Sequence, residues 1–238
     1  EKAGILRRGI PLIFGESQIP ESIEQRAKEL GVPTYISGRD FHEHADSNGW
    51  RIEVTEGAQL NAYQYSQRPS IATENAVVAL QAAVLLGESI DSKLIADVVD
   101  VRLPGRFEVV HMMDRTWILD VAHNSHAARF LLEQLKERYP GRRFSGLFGC
   151  YTDKHAAQIL RVLGGMLNQV VYADTIGTRG QPASELEQKA SFGPTGSVGG
   201  KIEPSVDYLI DTTQSTDIIL VFGSFDLVER MRIWLFSR

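Results

Sequence analysis

The sequence has few of the features that mark several large classes of protein. It contains a single cysteine, Cys150, which excludes an intramolecular disulfide framework and a cysteine-rich zinc site and fits a reducing compartment such as the cytoplasm. It contains no run of about 18 apolar residues, which argues against a membrane-spanning helix. The net charge is −5 and no block of lysine and arginine is present, which argues against a nucleic-acid surface. These absences restrict the class of protein without naming a function.

The sequence also lacks the glycine-rich loops that commonly hold nucleotide phosphates. A Walker A loop needs Gly-x-x-x-x-Gly-Lys followed by Ser or Thr. The nearest approach is Gly200-Lys201, where Thr195 stands in place of the first glycine and Ile202 in place of the hydroxyl residue. No Gly-x-Gly-x-x-Gly opens a helix after a strand. If the protein handles a nucleotide, we expect its phosphate-binding loop to lie outside these 238 residues.

Residues 10–37 have a strand–helix–strand pattern. Short apolar runs at residues 10–14 and 34–37 flank a helical stretch that begins after Pro20 and ends at Gly31. This alternation predicts the end of a parallel α/β sheet.

The composition of the chain changes twice after this point, first to a polar stretch and then to an apolar one. Residues 38–69 are polar and predict a few short strands or a long loop. They include His42 and His44, a His-x-His pair that could bind a metal, but no other candidate ligands cluster nearby, so exposed loop histidines are the favoured interpretation. Residues 75–86 are apolar nearly all round, which predicts a helix buried on most faces, and a second helix follows at about 91–99.

A Pro-Gly break at Leu103-Pro104-Gly105-Arg106 marks a domain boundary, so we expect one domain over residues 1–103 and another over 104–238. After the break, strand-like runs alternate with helical patterns. Strands are predicted at residues 107–111, 117–121, 144–148, 170–173 and 218–222. Helices are predicted at residues 126–137, 153–167, 184–189, 205–212 and 227–236. Strands joined through amphipathic helices form right-handed crossover units, so we predict a mostly parallel, Rossmann-like sheet.

Polar side chains follow four of these strands, at the edge of the sheet where ligands bind in open α/β folds. The candidates from these four loops are Asp120, His123, Lys154, Arg179 and Ser224. A simpler interpretation applies to several polar residues in the same loops, because each could be a helix N-cap worth about 1 kcal/mol. These possible caps are Asn124, Ser125, Asp153 and Ser224. Spacing alone therefore names no reaction.

Several motifs together resemble those of folylpolyglutamate synthases and the related Mur ligases. The segments Leu103-Pro104-Gly105-Arg106-Phe107 and Asp120-Val121-Ala122-His123-Asn124 resemble the hinge and the first ligand loop of that family. The other motifs that follow the family's order are Glu1-Lys2-Ala3-Gly4-Ile5, Asp153-Lys154, Thr178-Arg179-Gly180 and Val221-Phe222-Gly223-Ser224-Phe225. One departure is Ser125, where the family usually has proline. A serine can cap the helix instead, and we expect the loop geometry to survive.

The resemblance implies roles for residues around a nucleotide. Lys2 matches a lysine that the family carbamylates, which would give an anionic oxygen ligand for Mg²⁺; a plain surface lysine is the alternative. Asn75 matches an adenine contact, since an amide offers both a donor and an acceptor, although it could simply cap the helix. Arg106 matches a contact to the transferring phosphate, with a surface ion pair as the alternative. Asp120 matches a ligand of the ribose hydroxyls.

The resemblance also makes His123, Lys154, Arg179 and Ser224 candidates for orienting the incoming glutamate or the acyl phosphate, with His123 and Arg106 nearest the chemistry. In fold, it implies the end of a P-loop-type ATPase domain over residues 1–103, followed by a Rossmann-like Mur-ligase C-terminal domain over residues 104–238.

The activity implied is an ATP-dependent ligase that adds L-glutamate to dihydropteroate or folates through an acyl phosphate. Its cofactors would be ATP and Mg²⁺, and the family implies a monomer with no nucleic-acid or membrane partner. We expect the 238 residues to be inactive alone. Two alternatives remain: a Mur-type ligase that adds an amino acid to a cell-wall nucleotide precursor, and a non-enzymatic nucleotide-binding module.

Overall fold

A computed structural model of the chain describes residues 2–46, 49–66, 69, 71–190 and 198–237. The chain divides into two compact units, Glu1–Arg102 and Leu103–Arg238. This division lies one residue before the boundary predicted from the Pro-Gly break. Among the helices of the described residues, none has the length and apolar character needed to cross a membrane.

The first unit begins with a small parallel arrangement. A 3-10 helix covers Lys2–Ile5. Strands β1 (Leu12–Phe14) and β2 (Thr34–Ile36) pair in parallel, and helix α1 (Glu21–Leu30) connects them in the chain. Helix α1 ends because Gly31 adopts a left-handed conformation with φ of 62°, which a glycine reaches without steric cost. The strand–helix–strand pattern predicted for this stretch is present.

The polar stretch that follows is a three-stranded antiparallel meander rather than a long loop. Its strands are β3 (His42–Asp46), β4 (Gly49–Glu56) and β5 (Gln59–Tyr65), with β4 in the middle. The core face of β4 alternates with its polar face, so that Trp50 and Ile52 are fully buried.

Helices α2 (Thr73–Leu85) and α3 (Ser92–Val99) pack into the same core as the meander. The Gln81 amide of α2 exchanges two hydrogen bonds with the backbone of Thr55, at 2.8 and 2.9 Å. The prediction that the apolar helix is buried on most faces is wrong for this chain. Only four of its residues are buried, and Leu86, just beyond its end, is 85% exposed.

The second unit is a six-stranded sheet in the order β10-β9-β8-β11-β7-β6. Its strands are β6 (Glu108–Met112), β7 (Arg115–Asp120), β8 (Phe144–Phe148), β9 (Leu167–Ala173), β10 (Val198–Gly200) and β11 (Ile218–Phe222). Its helices are α4 (Ser125–Arg138), α5 (Ala156–Leu163), α6 (Ala183–Ala190), α7 (Ile202–Thr212) and α8 (Phe225–Phe236). All strand pairs are parallel except the β6–β7 hairpin. The predicted, mostly parallel Rossmann-like sheet is confirmed.

Helices cover both faces of this sheet. One hydrophobic cluster joins α4, α5 and α6 to the first face, and a second joins α7 and α8 to the other. Strand β11 illustrates the division, because Leu220 belongs to the first cluster while Ile219 and Val221 belong to the second. Strands buried on both faces read as continuous apolar runs, which is why β8 and β11 could be predicted from the sequence.

The order of the strands creates an opening at the carboxyl end of β11. Helix α8 follows β11 on one face, whereas α4 and α5 follow its two neighbours, β7 and β8, on the opposite face. Chain segments that leave adjacent strands toward opposite faces diverge, and such divergence forms the crevice in which α/β folds bind ligands.

The structure differs from the prediction at two elements. The helix expected at residues 153–167 is shorter, because α5 gives way to a 3-10 turn over Gly164–Met166 and β9 begins at Leu167. Two consecutive glycines, Gly164 and Gly165, disfavour continuation of the helix. Strand β10 was not predicted, since only three residues with two glycines form it.

Candidate functional site

The segment between β7 and α4 carries the site candidate His123 and leads into the two possible caps, Asn124 and Ser125. The Asn124 side chain caps α4 by accepting a hydrogen bond from the backbone N–H of Ala127 at 2.8 Å. The prediction that Ser125 takes over the cap is therefore wrong, since Ser125 is the first residue inside the helix. The loop nevertheless starts the helix with a standard side-chain cap.

Asp120, at the end of β7, has a buried carboxylate that is 6% exposed. One carboxylate oxygen accepts the Phe107 backbone N–H at 2.8 Å, and the other accepts that of Ala122 at 2.9 Å. Burial raises the pKa of Asp120 to about 6, against the opposing influence of these two hydrogen bonds and the Arg106 charge. The structure thus gives this carboxylate a task that the sequence did not reveal: it ties the end of β7 to the segment before β6.

That segment is the Pro-Gly turn, which is fastened to the sheet by further hydrogen bonds. The Gly105 carbonyl accepts the Val121 N–H at 2.9 Å, and the Gly105 N–H donates to Glu108 Oε2 at 2.7 Å. Arg232 Nε in turn donates to both carboxylate oxygens of Glu108, to Oε2 at 2.7 Å and to Oε1 at 3.0 Å. Gly105 has φ of +69°, and a Cβ there would lie 2.8 Å from Val228. The turn therefore requires glycine and is held in one position.

Arg106 projects from this turn toward the loops of the sheet edge. Its guanidinium carbon lies 5.5 Å from the centre of the Phe225 ring, and the His123 ring lies 5.8 Å from the same ring. Phe225 is 55% exposed, although it is a large apolar residue. Among the described residues, no carboxylate pairs with the Arg106 guanidinium within 4.0 Å. The edge thus presents an arginine, an aromatic ring and an imidazole in a row.

The His123 ring has one defined hydrogen bond. Its Nδ1 lies 3.0 Å from the Val121 carbonyl oxygen. Because a carbonyl oxygen can only accept, this nitrogen carries the proton, and Nε2 is left to accept or exchange one.

Ser224 serves as the N-cap of α8. Its hydroxyl accepts the Leu227 N–H at 3.1 Å, and the residue is 1% exposed. Just before it, Gly223 has φ of +114°, and a Cβ there would lie 2.6 Å from the Gly149 carbonyl oxygen. The loops after β8 and β11 are therefore in direct backbone contact. The capping interpretation of Ser224 is confirmed, and a ligand role would have to use the hydroxyl proton.

Lys154 and Arg179 are joined by a shared carboxylate. Asp153 Oδ2 lies 3.2 Å from Lys154 Nζ and 3.4 Å from Arg179 Nη1. Arg179 also lies over the Tyr151 ring, with 4.8 Å from its guanidinium carbon to the ring centre. Asp153 is not a helix cap, because α5 begins two residues later, after His155. This ion-pair cluster brings the loops after β8 and β9 together.

A buried polar network lies beneath these two loops. Gln181, which is 3% exposed, donates from Nε2 to the Cys150 carbonyl at 2.7 Å and from its backbone N–H to Thr175 Oγ1 at 3.0 Å. Thr175 Oγ1 also donates to the Cys150 carbonyl at 3.3 Å. The Cys150 side chain is fully buried, and burial raises the pKa of its thiol to about 12.

Two of the candidates, Asn75 and Lys2, belong to the first unit. Asn75 lies in the first turn of α2 and is exposed, and because Ala72 occupies the N-cap position, the capping interpretation of Asn75 is wrong. Lys2 lies in the 3-10 helix Lys2–Ile5, but its side chain lies outside the described part of the chain, as do Glu1 and Thr195.

His42 and His44 lie on β3. In residues 2–46, 49–66, 69, 71–190 and 198–237, no group of three or more histidine, cysteine, aspartate and glutamate side chains could hold a metal ion.

The structure thus brings the second-unit candidates to one edge in the order set by β9, β8, β11 and β7. Sequence reasoning missed Phe225, which contacts two of them, and the Glu108–Arg232 pair that steadies the turn. The signals for Phe225 were its place at the end of the family-like motif Val221-Phe222-Gly223-Ser224-Phe225 and its position directly after a capping serine. No local signal marked the pair, because its members are 124 residues apart.

Comparison with known proteins finds a family that matches the part of the sequence carrying this edge. Residues 105–225 match the family described as Mur ligase, glutamate ligase domain. Dihydrofolate synthase/folylpolyglutamate synthase of Escherichia coli is 30% identical over 229 residues, which cover 96% of this chain and 52% of that protein. The resemblance predicted from the motifs is therefore confirmed.

Solved structures agree with the sequence match. A bifunctional folylpolyglutamate synthase/dihydrofolate synthase from Yersinia pestis, complexed with AMPPNP and a Mn ion, superposes with a TM-score of 0.81 at 29% identity, covering 99% of this chain and 55% of its own. Escherichia coli FolC in complex with DHPP and ADP gives 0.82 at 28% identity, covering 100% and 56%. The chain spans about half the length of the relatives that it matches.

Proposed function

This chain belongs to the Mur ligase, glutamate ligase domain family, and on that premise we propose that it forms the C-terminal portion of an ATP-dependent dihydrofolate synthase/folylpolyglutamate synthase. The proposed reaction activates a pteroate or folate carboxylate as an acyl phosphate. The amine of L-glutamate then attacks it, and ADP and phosphate are released. The observation that carries the proposal is the Arg106–Phe225–His123 row beside Asp120, at the sheet edge where α/β folds bind ligands.

Arg106 is the residue that we assign to the transferring phosphate. Its guanidinium lacks a carboxylate partner in the described part of the chain, and the Phe225 ring supports one of its faces. A guanidinium fixed before the reaction can stabilise the charge that develops on phosphoryl oxygens without reorganising. The Asp120 carboxylate holds the turn that carries Arg106, through Phe107 N–H.

Three further assignments concern the nucleotide and its metal. We assign Asn75 to adenine, because its exposed amide can both donate and accept. We assign Asp120 to the ribose hydroxyls, which would have to use the lone pairs that the two backbone hydrogen bonds leave free. We assign Lys2, as a carbamate, to Mg²⁺. Among the described residues, no group of three or more histidine, cysteine, aspartate and glutamate side chains could hold a metal ion, so the further magnesium ligands would have to come from outside these residues.

Four residues are assigned to the incoming glutamate or the acyl phosphate. The cationic groups Lys154 and Arg179 suit the two carboxylates of glutamate, since both stand on loops at the site edge. His123 Nε2 can accept a proton, as the attacking amine requires. The Ser224 hydroxyl can donate while it caps α8.

The proposal is tested on the full-length protein that contains these residues. We expect incorporation of labelled glutamate that depends on ATP, Mg²⁺ and either dihydropteroate or folate. Arg106→Ala should lower turnover by about 100-fold, as loss of one charge-stabilising donor commonly does. Arg129→Ala, which removes an exposed arginine of α4, is the matched control. Incorporation with a cell-wall nucleotide precursor, and none with either pterin acceptor, would reject the proposal.

The 238 residues alone should not catalyse the reaction, since they contain no phosphate-binding loop. Equilibrium dialysis should show ATP binding no tighter than the millimolar range. Micromolar affinity would mean that the adenosine side of the site is sufficient by itself.

A further inference from the structure

A cavity that is lined by cations lies at the loops that follow β8 and β9. It has a volume of about 370 Å³ and lies at the start of α5, and we name it the α5 pocket. Its charged and polar lining includes Lys154, His155, Arg161, Lys189, Thr152 and Gln181. None of the described residues that line it is acidic. The chain as a whole carries a net charge of −5, so its average composition does not account for such a concentration of positive charge.

The pocket is built on the buried network beneath the β8 and β9 loops. Lys189 Nζ donates to Gln181 Oε1 at 3.0 Å, and Gln181 is itself anchored to the Cys150 carbonyl. A buried amide that holds a lysine in place limits the freedom that the lysine would otherwise lose on binding a ligand. The Ala156 and Ala157 backbone at the uncapped start of α5 also lines the pocket, so the positive end of the helix dipole faces it.

The nearby carboxylates do not neutralise the pocket. Lys154 pairs with Asp153 at 3.2 Å, and Lys189 lies 3.8 Å from Glu185. Within the described part of the chain, Arg161 has no carboxylate within ion-pair distance. A pocket of three permanent cations with one wholly uncompensated attracts anions.

The arrangement of the cations favours one class of anion. Lys154 precedes α5, Arg161 lies more than one turn into it, and Lys189 lies on α6. A single phosphate needs donors that converge on one point, whereas charges spread over separate elements suit several carboxylates along a chain. We propose that the α5 pocket binds an oligocarboxylate, namely the γ-linked glutamate chain that the proposed function would build. This inference rests on that function.

The test uses the 238-residue chain and tri-γ-L-glutamate as the probe, with binding measured by titration calorimetry. We expect the affinity to fall as the salt concentration is raised from about 50 to about 300 mM, because salt screens the attraction between exposed charges. This range brackets the physiological ionic strength of roughly 0.15 M. Arg161→Gln and Lys189→Gln should each weaken binding about fivefold, the ratio that corresponds to about 1 kcal/mol. Arg129→Gln on α4 has the same charge change outside the pocket and should bind as the unaltered chain does. Circular dichroism establishes that each exposed substitution leaves the fold intact.

Three results would overturn the proposal. The first is absence of tri-γ-L-glutamate binding at millimolar concentration, and the second is equal binding by the pocket variants and Arg129→Gln. The third is displacement of the probe by inorganic phosphate at equal charge concentration, which would reduce the pocket to a general anion site. Failure of the proposed function is separate, because it would appear as absent glutamate incorporation by the full-length protein whatever the calorimetry shows.

Discussion

The two units of the chain bury their secondary structure to different degrees. In the second unit, β8 and β11 are buried at every position and helices cover both faces of the sheet. In the first unit, β1 is only half-buried, and the apolar helix α2 buries four residues while Leu86 beside it stays exposed. A sheet with two covered faces has a complete core of its own, so we expect the second unit to be the more stable.

The largest expected effect comes from removing core volume in each unit. Leu220→Ala, in the centre of β11, should lower the free energy of unfolding of the second unit by about 3–5 kcal/mol. Leu80→Ala in α2 should cost about 2–3 kcal/mol, because several of its neighbours in α2 are only partly buried and can move to fill the space. Urea unfolding followed by circular dichroism measures both. Equal losses in the two variants would remove the distinction between the units.

The next effect concerns the turn at the start of the second unit. Gly105→Ala should destabilise this unit by about 2–4 kcal/mol, since alanine disfavours the left-handed backbone and its Cβ would meet Val228 at 2.8 Å. Gly141→Ala is the matched control: its φ is +71°, but a Cβ there has no neighbour within 4 Å. It should cost about 1 kcal/mol. If the two glycine variants unfold at the same urea concentration, the turn is not held as described.

The buried Asp120 should make the stability of the second unit depend on pH. Its folded pKa of about 6 lies above the usual value, so the folded state favours the protonated form. The stabilisation is complete at acidic pH and is lost as pH rises through about 6. Between pH 4.5 and 7.5, the difference in unfolding free energy between the unaltered chain and Asp120→Asn should fall by about 2 kcal/mol. A difference that stays constant with pH would show that this carboxylate titrates normally.

The smallest effect distinguishes support of Arg106 from mere packing. In the full-length protein, Phe225→Leu should lower turnover about fivefold, because an exposed cation–π contact is worth about 1 kcal/mol. Phe225→Tyr keeps the aromatic face and should restore turnover. Steady-state kinetics with saturating ATP separates the two variants. If the Phe225→Leu variant turns over as fast as the Phe225→Tyr variant, the aromatic ring has no role at the site.

Much of the second unit could be predicted, because its signals are local. The β8 and β11 runs are apolar at each position, and Asn124 stands directly before an amphipathic helix. What failed depends on distant contacts. Nothing around Asp120 in the sequence indicates that its carboxylate accepts the N–H of Phe107, 13 residues earlier. Likewise, the Asp153 carboxylate, which pairs with the neighbouring Lys154, also pairs with Arg179, 26 residues later in the sequence. The exposed parts of α2 could not be predicted, because a helix that is apolar on all sides predicts burial on all sides. The pattern does not show whether other elements are present to cover each face.

The buried thiol of Cys150 can report how often part of the second unit opens. The Cys150 side chain is fully buried in the hydrophobic cluster that α4, α5 and α6 form with the sheet, and its backbone carbonyl accepts hydrogen bonds from Gln181 and Thr175. Burial raises the pKa of the thiol to about 12, and the chain has no other thiol. A small alkylating reagent can therefore react only while the loops after β8 and β9 are open, since the thiolate is the reactive form. The alkylation rate measures how often this edge opens, and a ligand that bridges the two loops should slow it.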